Sequence, residues 1–397
     1  MPGLPIPDPD PRSPAGLKTR PTSRIPVPGG SEDPPYVPPY WHGCNYPWST
    51  DGTSVFYGLD FGGNIWGSHL GVSTRRDAVA RDFADMASLG FTVVRWFVFT
   101  DGRAGIVFDD RGYPAGLDSF CLHDLDVALE IARDTGMALV LVLLDHRWMF
   151  SGISDSVADP ASGALYEVSL PDGRANVVLT RQGHDALLTH VVQPVVSRYG
   201  AGGARPDLGS SILAFELMNE PDLIIEEWES EVSARVTRPV PFETFAALVS
   251  RFSTLVHARS SAMTTIGCAR LHNLWAWDDD DLGLDVLQLH SYPDTRHPVR
   301  DRDVYGTPAR ALGVRRPVVL GEFPGDGRHQ HPPGASPPPT TLDEYLEFAV
   351  AGGYAGAWPW SFSGTDAYGR VPRQALRRFA ARYPVLVNRR ALEPSED

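Results

Sequence analysis

Residues 212–222 read ILAFELMNEPD, and this stretch decides the fold. The nearly continuous apolar run Ile212–Met218 is typical of a strand buried on both faces, as strands are in a parallel sheet covered by helices. Asn219 and Glu220 follow directly, so they stand where the strand ends and a loop begins. In parallel α/β folds the carboxyl ends of the strands carry the functional site. The stretch therefore predicts a buried parallel strand with a site at its end.

Further runs of this kind alternate along the chain with amphipathic helical segments. Seven of them join Ile212–Met218, namely Phe56–Phe61, Thr92–Phe99, Ala138–Leu144, Met263–Gly267, Val286–Leu289, Val318–Gly321 and Gly356–Trp360. The helical pattern is clearest over Phe242–Arg259, where apolar residues recur with a period of about 3.6. Eight strands alternating with helices favour a closed (β/α)8 TIM barrel over an open doubly wound sheet. No GxGxxG motif follows a predicted strand, so the sequence does not support a dinucleotide-binding sheet.

The domain organisation predicted from the sequence is a single barrel preceded by an arm. Residues 1–40 contain 13 of the 36 prolines, and proline at this density predicts an extended or irregular segment. Residues 41–397 are assigned to the barrel. Two long insertions, Ser151–His184 and Gly325–Thr340, follow predicted strands, and such loops wall the active-site face of a barrel.

Composition narrows the range of partners. The 397-residue chain has a formal charge of −14, which argues against nucleic acid and anionic membranes because both need a basic surface. No apolar run approaches the about 18 residues of a membrane span, and the amino terminus lacks a signal-peptide pattern, so we expect a cytoplasmic enzyme or one secreted by a non-standard route. Its three cysteines have no metal-ligand spacing, so neither a metal nor a cofactor is expected. The oligomeric state is left open.

Two glutamates at predicted strand ends carry the functional hypothesis. Glu220 closes the fourth run, and Glu322 closes the seventh, which reads VVLGEFPG over 318–325. Carboxylates on opposite sides of a narrow barrel can face each other across a small gap. Retaining glycosidases need such a pair about 5 to 5.5 Å apart, one as the nucleophile and the other as the acid and base. The pair therefore predicts cleavage of a glycosidic bond through a covalent intermediate.

The order of the strand-end motifs resembles that of clan A glycoside hydrolases and is most similar to glycoside hydrolase family 5, the cellulase and β-mannanase family. The resemblance runs roughly from Phe56 to Phe362. It rests on VVRWFVF, LLDHRW, MNEP, LHSYP, GEFPG and WPWSFSG, which supply Arg95, His146, Asn219, Glu220, His290, Tyr292, Glu322 and Trp360. It implies a retaining β-glycosidase with Glu322 as the nucleophile and Glu220 as the acid/base.

The resemblance also implies roles for the supporting residues. Arg95 and Tyr292 are expected to hold the pKa of Glu322 down, while burial and the charge of Glu322 are expected to raise that of Glu220. Asn219 is expected to donate to the sugar 2-hydroxyl, and His146 and His290 to bind hydroxyls or orient the carboxylates. Among the chain's 40 aromatic residues, Trp360 is expected beneath the sugar ring, with Trp66 and Trp148 elsewhere in the cleft.

Three functions fit these residues at this stage. The first is a β-mannan- or β-glucan-type glycosidase, and the second is an exo-acting β-mannosidase or β-glycosidase of a sister clan A family that acts on short oligosaccharides. The third is a catalytically silent carbohydrate-binding barrel, which would have no reason to retain both Glu220 and Glu322. The sugar, the linkage and endo or exo action depend on loops that the sequence does not place.

Overall fold

A computed structural model gives the fold. It describes residues 40–50, 55–64, 67–150, 174–230, 232–236, 238–292, 304, 306–325, 341–364 and 370–388, and the backbone of 154–158 and 165–169. The proline-rich residues 1–39, Trp66 and large parts of both predicted insertions lie outside the described residues.

Eight parallel strands close into a barrel in which each strand pairs with its sequence neighbours and the first pairs with the last. Their bounds are Trp41–Asn45 (β1), Val93–Phe97 (β2), Ala138–Asp145 (β3), Ile212–Asn219 (β4), Met263–Cys268 (β5), Leu287–His290 (β6), Val318–Glu322 (β7) and Gly356–Ala357 (β8). Two antiparallel hairpins are added, Ile106–Phe108 with Pro114–Leu117 and Ser154–Ala158 with Leu165–Ser169. The architecture confirms the predicted (β/α)8 fold.

Helices surround the barrel. They are Arg76–Ser88 (α1), Cys121–Thr135 (α2), Ala175–Leu179 (α3), Arg181–Leu187 (α4), Gln193–Tyr199 (α5), Phe242–Arg259 (α6), Leu274–Trp277 (α7), Leu342–Ala351 (α8) and Arg373–Arg382 (α9), with a π-helical turn at Leu188–Val192. The predicted helix Phe242–Arg259 is present with the same bounds. None of the described helices combines the length and apolarity needed to cross a membrane.

The first strand corrects the prediction from the sequence. We expected it at Phe56–Phe61, but β1 is Trp41–Asn45 and reads WHGCN. This strand lacks an apolar run because Gly43 sits under the ring of Trp358, where an added Cβ would lie 2.6 Å from Cδ1. Phe56 and Leu59 instead form a small buried cluster with Ala104. Hydrophobic pattern alone favoured the wrong segment.

Two apolar layers hold the barrel together. The larger lies between the outer faces of the strands and the helices. The smaller fills part of the barrel interior and consists of Val93, Val140, Ala214, Val286, Val319, Ala355 and Trp358. Most of these residues come from the amino-terminal halves of strands or from just before them. The interior at the carboxyl ends is therefore left to polar residues.

One buried histidine in β1 makes stability depend on pH. His42 is 0% exposed and lies between the rings of Phe91 and Phe379, at centroid distances of 4.9 and 4.6 Å. Neither ring nitrogen has a hydrogen-bond partner among the described residues. Burial lowers the pKa of His42 from 6.5 to about 3. Between these two values the unfolded chain binds a proton that the folded chain does not bind.

We therefore predict that His42→Leu removes part of the acid sensitivity of folding. Because the pKa is depressed in the fold, stability due to neutral His42 is present above the unfolded pKa and is lost as pH falls. The free energy of unfolding of the wild type should fall relative to the variant by about 1.4 kcal/mol per pH unit between pH 6 and pH 4. Urea titrations of both proteins across this range measure the difference. Parallel curves would contradict the assignment.

Candidate active site

The two predicted acids meet at the carboxyl-terminal mouth of the barrel. Glu220 immediately follows β4, and Glu322 is the last residue of β7. A carboxylate oxygen of each and a ring nitrogen of His290 lie within 4.8 Å of one another. This spacing fits the about 5 to 5.5 Å of retaining glycosidases and is shorter than the about 6.5 to 9.5 Å of inverting ones.

The backbone of Glu220 is held in an unusual conformation. Its φ is 50° and its ψ is 49°, in the left-handed region that residues other than glycine seldom adopt. Its amide donates to the carbonyl of Gly267 at 2.9 Å, and its carbonyl accepts from the amide of Leu223 at 3.1 Å. Such conformations persist where the surroundings impose them and cluster at functional sites. These bonds fix the direction in which the carboxylate leaves β4.

Arg95 connects the floor of the site to Glu322. Its Nη1 donates to Glu322 Oε1 at 2.5 Å and to Asn45 Oδ1 at 2.9 Å. Its Nη2 donates to Asn219 Oδ1 at 2.7 Å. Its Nε and Nη2 also donate to the two carboxylate oxygens of Glu216, at 2.7 and 2.6 Å. Arg95 therefore lies against the predicted nucleophile, as the sequence suggested.

Two of these partners were missed in the sequence analysis. Asn45 donates through Nδ2 to the carbonyls of Gly321 and Trp358 at 2.8 and 2.9 Å, which ties β1 to the end of β7. Glu216 is a charged residue within an otherwise apolar strand. Arg95 is also a charged residue within an apolar strand, and two such residues in one barrel need each other because a buried charge must be paired. That signal could have identified the Arg95–Glu216 pair.

The second donor to Glu322 is Tyr292, whose hydroxyl donates to Oε2 at 3.0 Å. Burial nevertheless raises the pKa of Glu322, the charge of Glu220 adds to this, and His290 and Arg95 oppose it. The net direction is upward. This differs from the sequence-based expectation that Arg95 and Tyr292 would hold the pKa below its ordinary value.

His290 links the two acids. Its Nδ1 lies 3.0 Å from Glu220 Oε1 and 3.6 Å from Glu322 Oε1. Burial acts to raise the pKa of Glu220, but the hydrogen bond and charge of His290 outweigh it and lower that pKa to about 2. The pKa of His290 is raised because its carboxylate neighbours outweigh the effect of burial. The upward pKa shift that was expected for Glu220 is therefore found on His290. The hydrogen bond between these two residues holds one proton.

Two glycines leave room for the His290 ring. A Cβ added at Gly267 would lie 2.9 Å from His290 Cε1 and 2.7 Å from Glu216 Oε1. A Cβ added at Gly321 would lie 3.2 Å from His290 Cδ2 and 2.6 Å from Gln288 Oε1. These separations are shorter than ordinary contacts, so side chains on β5 and β7 would displace the imidazole.

Two carboxylates and an imidazole at this distance could also suit a cation. Here Glu322 Oε1 already accepts from the permanently charged Arg95. His290 Nδ1 is engaged with Glu220. Positive charge is thus already supplied where a metal ion would sit, and we interpret the cluster as an acid pair.

Asn219 and His146 lie on the same side of Glu220. Asn219 donates through Nδ2 to Asp145 Oδ2 at 2.8 Å while its Oδ1 accepts from Arg95, so its amide plane is fixed. His146 Nδ1 lies 3.8 Å from Glu220 Oε2 and 3.6 Å from Asp145 Oδ2. Both residues predicted from the sequence therefore border the acid.

An aromatic wall lies beside β8. Trp360 is half-buried, with its ring edge-to-face against Trp48 at 5.9 Å and Phe97 at 6.0 Å. Trp48 also contacts the ring of Tyr57 at 4.6 Å, and the Tyr57 hydroxyl accepts from Arg147 at 2.6 Å. We define Trp48, Tyr57, Arg147 and Trp360 as the aromatic wall. Only Trp360 was expected here, since the others lie in loops whose course the sequence did not indicate.

The remaining predicted tryptophans have different outcomes. Trp148 is 1% exposed, and its indole donates to the carbonyl of Thr100 at 2.7 Å. It packs in the core near Phe108 and does not reach the cleft, which corrects the expectation. The turn His146–Met149 follows β3 and directs this indole inward. Trp66 lies outside the described residues.

Comparisons with known proteins bear on the fold and on the resemblance to mannanases. No protein-family model matches the chain. Mannan endo-1,4-beta-mannosidase from Mytilus edulis is 23% identical over 349 residues, which cover 80% of this chain and 82% of that protein. Mannan endo-1,4-beta-mannosidase 1 from Oryza sativa subsp. japonica is 26% identical over 66% of this chain and 63% of its own length.

Solved structures show the same fold. The β-mannanase from Mytilus edulis superimposes with a TM-score of 0.62 at 19% identity, covering 90% of this chain and 92% of that one. An exo-β-1,4-mannosidase from Opitutaceae bacterium strain TAV5 gives a TM-score of 0.53 at 18% identity, covering 89% of this chain and 60% of that one. Together with the curated relatives, these likenesses confirm the resemblance inferred from the strand-end motifs.

Proposed function

We propose that this chain, a glycosidase that resembles glycoside hydrolase family 5, cleaves β-linked mannosides with retention of configuration. The observation that carries the proposal is the close approach of Glu220 and Glu322, which lie with His290 in a cluster spanning no more than 4.8 Å. Glu322 acts as the nucleophile and Glu220 as the acid and base. The mannose preference is inferred from the relatives, which are mannanases.

In the first step Glu322 attacks the anomeric carbon and the leaving oxygen takes a proton from Glu220. His290, whose pKa is raised by its carboxylate neighbours, supplies that proton to Glu220 Oε1 across their 3.0 Å hydrogen bond. Its transfer makes Glu220 a neutral acid, while Arg95 and Tyr292 continue to donate to the ionised carboxylate of Glu322.

In the second step a water molecule replaces the departed group. Glu220 removes a proton from this water, which attacks the anomeric carbon from the side that the leaving group occupied. The bond to Glu322 breaks, and Arg95 and Tyr292 again donate to the released carboxylate. Two inversions at one carbon return the original β configuration.

The sugar is held by groups around the acids. The fixed amide of Asn219 presents a second Nδ2 hydrogen to a hydroxyl, an interaction that strengthens as the oxocarbenium-like transition state develops. The ring of Trp360 offers a face for the C–H surface of the sugar. The aromatic wall extends this surface with the rings of Trp48 and Tyr57 and the charge of Arg147.

A substrate panel tests the proposal. Aryl β-mannoside, β-glucoside and β-xyloside are compared with mannan, glucan and xylan oligosaccharides, and the products are followed in time. We expect kcat/KM for mannosides to exceed that for glucosides by about tenfold or more, since a built hydroxyl-binding site discriminates strongly. Equal or better use of glucosides would contradict the mannose assignment. Release of mannose alone indicates exo action, and a mixture of shorter oligosaccharides indicates endo action.

A further inference from the structure

A third carboxylate lies beneath the two acids. Glu216 is in the middle of β4 and is 0% exposed. Both of its oxygens accept from Arg95, and Oε2 also accepts from Gln288 Nε2 at 2.7 Å. The same Gln288 Nε2 also donates to Thr265 Oγ1 at 3.2 Å. The partners of Glu216, Arg95 and Gln288, therefore lie on barrel strands and not in the helical layer.

We propose that Glu216 is a positioning residue for the reaction, which it serves by fixing the guanidinium plane of Arg95. This inference rests on the proposed function, because it concerns the nucleophile of that reaction. Glu216 does not touch the substrate and acts through Arg95 and Glu322.

The hydrogen-bond count supports this role. A guanidinium carries five N–H groups in a fixed planar fork. Two of those of Arg95 donate to Glu216, and the remaining three donate to Asn219, Asn45 and Glu322. Because the fork is rigid, the bidentate bond at one edge determines where the other three hydrogens point. Loss of that edge lets the guanidinium plane tilt, which shifts the bond to Glu322 while the cation stays beside that carboxylate, held by Asn45 and Asn219.

The negative charge of Glu216 has a second effect, which is on the pKa of Glu322. Arg95 is one cation shared by two carboxylates, so the charge of Glu216 limits how strongly Arg95 can favour the ionised form of Glu322. The other charged and titratable groups facing this cluster are Glu220, His290 and Tyr292. Asp145, His146 and Arg270 lie beyond Glu220. Removal of the Glu216 charge alone should lower the pH at which Glu322 becomes ionised.

The test compares Glu216→Gln with a matched control. A glutamine side chain can place its NH2 group at either carboxylate oxygen position of Glu216. In both orientations this group would face an N–H donor of Arg95, and in one of them also that of Gln288, so the variant breaks the bidentate bond. Asp126→Asn removes a buried carboxylate that also accepts a bidentate arginine bond, from Arg198, but it lies on α2 in the outer layer. Kinetic constants on an aryl β-mannoside are measured across pH, together with thermal unfolding.

We expect Glu216→Gln to lower kcat by about 100-fold, as misplacement of a reacting group by about 1 Å does. The acidic limb of the kcat/KM profile should move down by about one pH unit. Asp126→Asn should leave both unchanged. The double variant Glu216→Gln with Gln288→Glu returns a negative charge beside Arg95 and should move the acidic limb back toward the wild-type position.

Other outcomes would overturn the inference. If the activity of Glu216→Gln falls only in proportion to the folded fraction, and the acidic limb of its kcat/KM profile is unchanged, Glu216 has only a structural role. If Glu216→Gln does not fold, Glu216→Asp keeps the charge but withdraws the carboxylate by one methylene, and wild-type kcat in that variant would overturn positioning. Failure of the wild type to cleave any glycoside would instead contradict the proposed function.

Discussion

Replacement of Glu322 with glutamine is expected to lower kcat by about four to six orders of magnitude, the loss seen when a covalent nucleophile is removed. Glutamine keeps an oxygen that can accept from Arg95 or Tyr292, so the site retains its shape. It cannot attack the anomeric carbon, and in the proposed mechanism Glu220, the other acid of the pair, faces the leaving group. Steady-state rates on an aryl β-mannoside, with thermal unfolding measured in parallel, check this prediction.

Glu347 supplies the matched control for this substitution. It accepts from an arginine and a tyrosine, Arg382 at 2.6 Å and Tyr383 at 2.9 Å, but it lies on α8 at the surface. Glu347→Gln should therefore keep wild-type activity. A Glu322→Gln protein with more than about one hundredth of wild-type activity would mean that the nucleophile lies elsewhere.

Replacement of Glu220 should have the second largest effect, and its size should depend on the leaving group. Loss of a general acid costs about 10² to 10⁴ in rate. An oligosaccharide needs the proton, whereas a dinitrophenyl group leaves without it. We therefore expect Glu220→Ala to slow oligosaccharides far more than dinitrophenyl mannoside. Glu220→Gln, which keeps an oxygen near His290, should show the same selectivity, and equal losses on both substrates would contradict the role.

Azide provides an independent measurement on Glu220→Ala. The truncated side chain leaves space on the face that water normally uses, so azide should attack the covalent intermediate there and restore turnover. The product should be a β-mannosyl azide, identified by NMR. Added azide should not restore activity in this way to Glu322→Gln, which forms no intermediate. Absence of rescue in Glu220→Ala would contradict the assignment of its base function.

The pH dependence of the wild type follows from the same pair. Because the pKa of His290 is raised, the shared proton is present below that pKa and is lost as pH rises through it. Activity on substrates with poor leaving groups should therefore fall on the alkaline side. Dinitrophenyl mannoside needs no proton in the first step and should show a weaker alkaline decline in that step.

Much of the barrel could be predicted because its strands are buried on both faces. Continuous apolar runs marked β2, β3 and β4, and the polar residues after them marked the catalytic end. The ordered motifs then placed Glu220, Glu322 and Arg95 together. Strand β1 was not predicted, because the close packing of Gly43 against Trp358 requires a glycine where an apolar side chain would have marked the strand.

The details that the sequence did not reveal depend on side-chain packing across the barrel. The bidentate Arg95–Glu216 pair joins residues 121 positions apart. The order of the pKa values depends on a hydrogen bond between His290 and Glu220 that no spacing predicts. Trp148 could lie in the cleft or in the core, and only the turn after β3 decided for the core. The sequence pattern thus located the catalytic groups, whereas their protonation could be inferred only from the geometry of the site.

The most direct test of double displacement is the configuration of the first product. Hydrolysis of a β-mannoside is followed by proton NMR from the first seconds, before the anomers of free mannose interconvert. Two displacements at the pair Glu220 and Glu322 predict that the β anomer accumulates first and the α anomer appears only by later mutarotation. Initial accumulation of the α anomer would contradict the covalent intermediate on Glu322 and with it the proposed mechanism.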